Sequence, residues 1–328
     1  MRFISACRRK LPSLLIALGL AIPVLPAHAA DNYPSHPIRI VTPANPGGTT
    51  DFLARLLSAH LTKIWGQQAI VDNRGSASGV NGAEIVQHAA PDGYTLFIPY
   101  HQHTVNAALI AKLPYHPVND FTPITQLTSA GLMLVVNPKA PVQNLAEFIQ
   151  WTRNFQGALN FGSAGIGSGG HLAGELYKLM AGVKAEHIPY KGAGPAMADL
   201  IAGQYHFNFS GLQGSQVQVR AGRLRAIAVT TPKRLPSNPE LPAMAEALPG
   251  FEVVGWYGVI GPANMPQPLV ARLHGELIKV LNMPDVHARI EGDGSEPVGS
   301  SPEEFRRFMH ADLNKWAKLV KESGAKLD

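Results

Sequence analysis

The sequence has a single cysteine, Cys7, and none after it. From residue 30 onward a disulfide framework, a thiol nucleophile and a thiolate metal site are therefore excluded. After the apolar run Leu11–Leu25 there is no second long apolar run, and a membrane span takes roughly 20 residues. There is no H-E-x-x-H zinc helix, no G-x-x-x-x-G-K-[ST] phosphate loop and no G-x-S-x-G nucleophile elbow. No basic run is interleaved with aromatics, so a nucleic-acid partner is not expected.

The excess of base sits at one end. Arg2, Arg8, Arg9 and Lys10 precede Leu11–Leu25, and Ala27-His28-Ala29 is a small-x-small site. This order reads as a secretory signal peptide over residues 1–29, cleaved near Ala29. Four of the 28 Lys+Arg and none of the 23 Asp+Glu lie in it, which leaves 24 against 23. The mature chain is thus near neutral, soluble and destined for the periplasm.

Alternation of short β-rich runs with helical spacing organises the rest. Pro37–Val41, Ala69–Val71 and Tyr94–Ile98 read as strands, with helices over Asp51–Trp65 and Gly82–Ala89 between them. The theme returns with strands at Leu132–Val136, Leu159–Phe161 and His187–Tyr190, and helices at Leu145–Asn154, His171–Met180 and Ala193–Ala202. A strand over Glu252–Ile260 leads to three closing helices. An α/β fold of two lobes follows, each a mostly parallel sheet flanked by helices. The expected division is 30–130 plus 252–328 for lobe 1 and 131–251 for lobe 2.

Two loops follow strands and precede helices, and both are rich in glycine and hydroxyls. One is Ala44–Asp51, the other Gly162–His171. A helix start offers unpaired N–H groups and a partial positive charge, which suit a carboxylate or phosphate. The bland alternative is an ordinary tight turn with Ser, Thr or Asp as the helix cap. Gly165-x-Gly167-x-x-Gly170 also matches a dinucleotide fingerprint, but the acidic residue expected after the next strand is missing. His101 and His103, two apart, would share one face of a strand; no carboxylate completes a metal set with them.

Long stretches resemble the Bug proteins, the substrate-binding components of tripartite tricarboxylate transporters. They are YPSHPIRIVTPANPGGTTDFLAR (33–55), APDGYTL (90–96), KLPYHPVNDFTPI (112–124), FGSAGIGSGGHLAGELYKLMAG (161–182), HIPYKGAGPAMADLIAGQ (187–204), GRLRAIAVTTPKR (222–234) and SPEEFRRF (301–308). The resemblance implies a type II periplasmic-binding-protein fold that closes on a small organic carboxylate and docks on membrane permease subunits. It implies a monomer without cofactor, metal or catalytic residues. Carried onto this sequence, ligand contacts are expected from Gly48, Thr49, Thr50 and Asp51 in the first lobe, and Ser78, His101 and His103, in segments that depart from the family pattern, are expected to join them at the cleft. Ser163, Gly167, Ser168 and His171 are expected to supply them in the second. The chain departs from the family pattern at Asn73–Gly79 and Tyr100–Thr104, both expected at the cleft. A sensor subunit presenting ligand to a membrane kinase and a periplasmic hydrolase are the alternatives.

Overall fold

The computed structural model describes residues 33–47, 49–75 and 79–323. The leader with its cleavage site, Gly48 and Ser78 lie outside the described residues. The first α/β stretch runs β1 (Ile38–Thr42), α1 (Thr49–Trp65), β2 (Ala69–Asn73), α2 (Val80–Gln87), β3 (Thr95–Phe97) and α3 (Gln102–Leu109). A long strand, β4 (Phe121–Val136), leads into α4 (Leu145–Arg153), β5 (Asn160–Ser163), α5 (Gly169–Ala181), β6 (Glu186–Pro189), α6 (Ala193–Ala202), β7 (Phe207–Gly211), α7 (Leu212–Arg220) and β8 (Arg225–Val229). The chain returns through β9 (Val254–Pro262) and ends in α8 (Gln267–Leu281), α9 (Pro284–Gly292), β10 (Glu296–Pro297) and α10 (Pro302–Ser323).

Local chemistry explains these elements. In α1 the residues Leu53, Leu56, Leu57 and Leu61 recur at helical spacing and are buried together. Asn144 caps α4 by accepting the Glu147 N–H, while the Glu147 carboxylate accepts the Gln143 N–H one residue before the cap. Gly182 ends α5 in the left-handed conformation, with φ 67°.

Sheet order is β2-β1-β3-β9-β4-β7-β5-β6. β1 pairs in parallel with β2 and β3, and β5 in parallel with β6 and β7. Between these groups stand β9 and β4, antiparallel to each other and to their other neighbours. The expectation of mostly parallel sheets thus holds for the outer strands only; the middle is mixed. β4 changes partners along its length. It pairs with β9 from Phe121 to Gly131, then with β7 from Leu132 to Val136. Sequence patterning found only the second part, because Pro123 and two register shifts interrupt alternation in the first.

One apolar cluster joins Val41, Phe97, Phe121, Trp256 and Phe305. A larger one joins Phe148, Phe161, Tyr177, Phe207 and Phe251 to Val105 and Leu109 of α3 and Trp316 and Leu319 of α10. α10 therefore fastens the strand groups to each other. Asp312 on this helix is buried and accepts from Thr104 Oγ1 (2.6 Å), Trp256 Nε1 (2.9 Å) and Trp316 Nε1 (2.7 Å). Three neutral donors satisfy one buried carboxylate and tie α3, β9 and α10 at a point.

Candidate functional site

The C-terminal ends of the parallel strands carry the two glycine-rich loops, where ligands bind in open α/β sheets. In the first loop Asp51 is the organising residue. It is 5% exposed, and its carboxylate accepts from the Gly47 N–H (3.0 Å), Asn73 Nδ2 (3.0 Å) and Arg55 Nε (2.9 Å). Arg55, with Gly47 and Asn73, holds the acid below the usual carboxylate range against the opposing effect of burial. Asp51 was expected at the ligand; its oxygens are instead turned back into the loop, because the Gly47 turn needs an acceptor. Thr50 is buried, and its Oγ1 has no hydrogen-bond partner among the described residues.

The second loop is built without charge. Ser168 caps α5: its Oγ accepts the His171 N–H (3.3 Å) and donates to Gly165 O (2.7 Å). His171 Nδ1 accepts the Gly167 N–H (3.1 Å), and its ring stacks on His187 at 4.1 Å. His187 Nε2 lies 2.6 Å from Ser163 Oγ, which also bonds Gly165 O and the Gly165 N–H. Burial pushes His171 down to about 4 and His187 to about 3, so both rings are neutral near pH 7. Ser163 is 1% and His171 4% exposed. These side chains shape the loop, and the donors left at the helix start are the Gly169 and Gly170 N–H groups, which no earlier turn can satisfy.

The histidine pair departs from expectation. His101 and His103 stand at the start of α3, not on a strand. His103 is buried, donates from Nε2 to Pro117 O (2.9 Å) and stacks on Tyr115. It belongs to the core beneath the site, because three aromatic neighbours outbid solvent for its ring. His101 is different. Both of its ring nitrogens are buried without a partner among the described residues, and Nδ1 borders Gly255 of β9. Burial lowers it to about 4, so it is a neutral imidazole with unmet hydrogen-bonding capacity.

The second loop meets α3 of the first half and the β4 strand. Gly167, with φ +78°, leaves room for Leu109 and Gln102: a Cβ there would lie 2.9 Å from Leu109 Cδ1 and 3.1 Å from Gln102 Nε2. Gly169 faces Leu132, the residue at which β4 changes partners. On the other side Gln213 Nε2 donates to Gly292 O (2.7 Å). Sequence reasoning missed Gln102, His187 and Gln213, none of which lies in a glycine-rich signature. A depression of about 460 Å³ beside Ile110, Leu113 and Asp120 shares no residue with these loops.

Comparison with known proteins settles the relationship. The model of the tripartite tricarboxylate transporter family receptor matches residues 53–325. The chain belongs to this family. The family's receptors are solute-binding proteins, and this receptor has the two-lobed α/β fold of periplasmic binding proteins. It is 33% identical to protein BugT of Bordetella pertussis over 312 residues, 94% of each chain. A solved structure of R. palustris Rpa4515 with adipate is 35% identical, with TM-score 0.76 over 90% of this receptor and 100% of that chain. MatC of Rhodopseudomonas palustris with bound malate is 31% identical, with TM-score 0.71 over 88% and 100%.

Proposed function

We propose that this receptor captures a small organic carboxylate in the periplasm and delivers it to the membrane permease of a tripartite tricarboxylate-type transporter. One observation supports the reading above the others: a glycine-rich loop at the C-terminal end of a parallel strand opens a helix in each half, and in the second of them Gly167 lies against Gln102 and Leu109 of α3 in the first half. Similarity to the adipate- and malate-bound proteins supports the ligand class. The lobes divide as 30–130 plus 252–328 and 131–251, and β4 and β9 carry the chain between them. Gly169 and Gly170 at the α5 start, Thr50 and His101 supply donors, while Ser163, Gly167, Ser168 and His171 hold the loop in shape. Gly48 and Ser78 are kept in the proposal as ligand contacts. Ligand stabilises the closed form because only then does it touch both lobes. The protein acts as a monomer, without turnover and without a cofactor.

A thermal-shift screen of mono-, di- and tricarboxylates tests this, with adipate and malate included. A ligand at 100 times its Kd stabilises by about 2.7 kcal/mol, or several degrees at roughly 2–4 °C per kcal/mol. Flat midpoints across the panel, together with release of product from model esters, would overturn the assignment. Mass spectrometry of the secreted protein checks the cleavage site near Ala29.

A further inference from the structure

The two halves of the molecule meet at a short crossing. β4 leaves β9 at Gly131 and takes β7 at Leu132, and opposite Ala130 stands Gly255 of β9. Small residues are common where a chain absorbs backbone rotation between packed bodies. Close to this crossing each half anchors one further segment. The turn after α9 is tied to the first half: Glu296 pairs with Ser129, Pro297 pairs with Thr128, and the Val298 N–H donates to Leu127 O (2.9 Å). α7 is tied to the second half, because Gly211 just before it pairs with Leu132. Ala130 and Gly131 alone separate the two anchor points along β4.

Gln213 of α7 reaches back across the crossing. Its Nε2 donates to Gly292 O at 2.7 Å, and its backbone N and Cβ each lie 3.3 Å from where a Cβ on Gly294 would stand. The carbonyl it takes is one that a helix end leaves over. Arg289 O, Ile290 O and Glu291 O are met inside the turn by the N–H groups of Asp293, Gly294 and Ser295. Gly292 O, the last of α9, is met from the other half. Gln213 and Gly292 are both exposed. A hydrogen bond in such a place adds little to the stability of either half. It still separates two arrangements of the halves when only one of them makes it.

We infer that Gln213 is a positioning residue for solute capture: by bonding Gly292 across the β4 crossing, it holds the two halves in the arrangement that closes on the ligand. The proposal rests on the carboxylate-capture reading and adds the contact that sets how often the unliganded protein is closed. A receptor whose competent form is only partly populated binds more weakly by that fraction. Loss of the bond therefore reaches affinity through the halves, with no contact between Gln213 and solute.

Spin labels test this in the unliganded protein. The chain has no cysteine after Cys7, so Lys63→Cys on α1 and Lys184→Cys between α5 and β6, both exposed, label one half each. Gln213→Glu keeps the side chain's shape, removes the donor and sets an anion against a helix C-terminus; Gln213→Lys restores a donor there. Distances read by double electron–electron resonance should shift and broaden in Gln213→Glu and return in Gln213→Lys. Melting midpoints should stay within about 1–2 °C, the range of an exposed substitution. Calorimetry with adipate and with malate should show Gln213→Glu binding the wild type's acid about 2- to 10-fold more weakly, the range of one neutral hydrogen bond. Label distances that Gln213→Glu leaves unmoved overturn the inference, and so does an unchanged affinity. A midpoint that falls well beyond that range while the distances hold makes Gln213 a fold contact and overturns it too. If neither acid binds the wild type, the capture reading is what fails, and the ligand-free distances still decide whether Gln213 holds the halves.

Discussion

The two glycine-rich loops occupy equivalent places in their halves and are held by opposite chemistry. The first is pinned by an ionised Asp51 with Arg55, Asn73 and the Gly47 N–H around it. The second is pinned by two stacked neutral imidazoles, a buried serine and a capping serine. A helix start that must face a ligand anion gains from a surround without net negative charge, and at the second loop Glu175, 4.0 Å from His171 Nε2, is paired with Lys178. The first loop spends its anion on its own backbone and on Asn73. Equivalent backbone design therefore does not imply equivalent ligand chemistry.

Acid should separate the loops most strongly. His101, His103 and His171 are lowered to about 4 and His187 to about 3, all by burial first. Their folded values lie below the unfolded value near 6.5, so the unfolded chain binds more protons between these limits. Stability should be full above about pH 6.5 and should fall by several kcal/mol as pH drops toward 4. The first loop's Asp51, lowered from 3.8, should hold until the pH falls further still. Urea midpoints measured from pH 7.5 to 4 check this. The double variant His171→Asn/His187→Gln should have a visibly shallower slope, and an unchanged slope would remove these rings from the account.

Next in size is the first loop's own pin. Asp51→Ala removes the acceptor of the Gly47 N–H and the Asn73 contact to it, while Asn73 Nδ2 keeps Thr42 Oγ1 and Ala44 O, so the loss should be about 1 kcal/mol. Arg55→Met should cost clearly less, because the arginine is exposed and its pair is screened. Equal losses in the two variants, read as urea midpoints, would mean that the ion pair rather than the backbone contact carries the loop.

The smallest effect is at the second loop's cap. Ser168→Ala should lower stability by about 1 kcal/mol, and Ser168→Asp should keep it, since aspartate caps as well as serine. Affinity should fall in Ser168→Asp if a ligand carboxylate sits at the α5 start, because two anions would share it. Calorimetry beside a melting curve separates the two results. An Asp variant that melts and binds like the wild type would place the carboxylate away from this loop.

By itself the sequence determined the local order of this protein. The periodicity of Leu53, Leu56, Leu57 and Leu61, the turn glycines, and the strand–loop–helix placement of both glycine-rich segments were legible, because each depends on neighbours a few residues apart. The long motifs shared with the family carried the fold as well. Tertiary structure decided where polar groups face. Asp51 turns into its loop, Ser168 caps, and His103 enters an aromatic core while His101, two residues earlier, keeps two unmet nitrogens at the β9 strand. It also extended β4 through Pro123 and brought Asp312 to Thr104 across 208 positions. The physical reason is that a side chain's partner depends on strand pairing and helix docking between distant segments, and no local spacing encodes that.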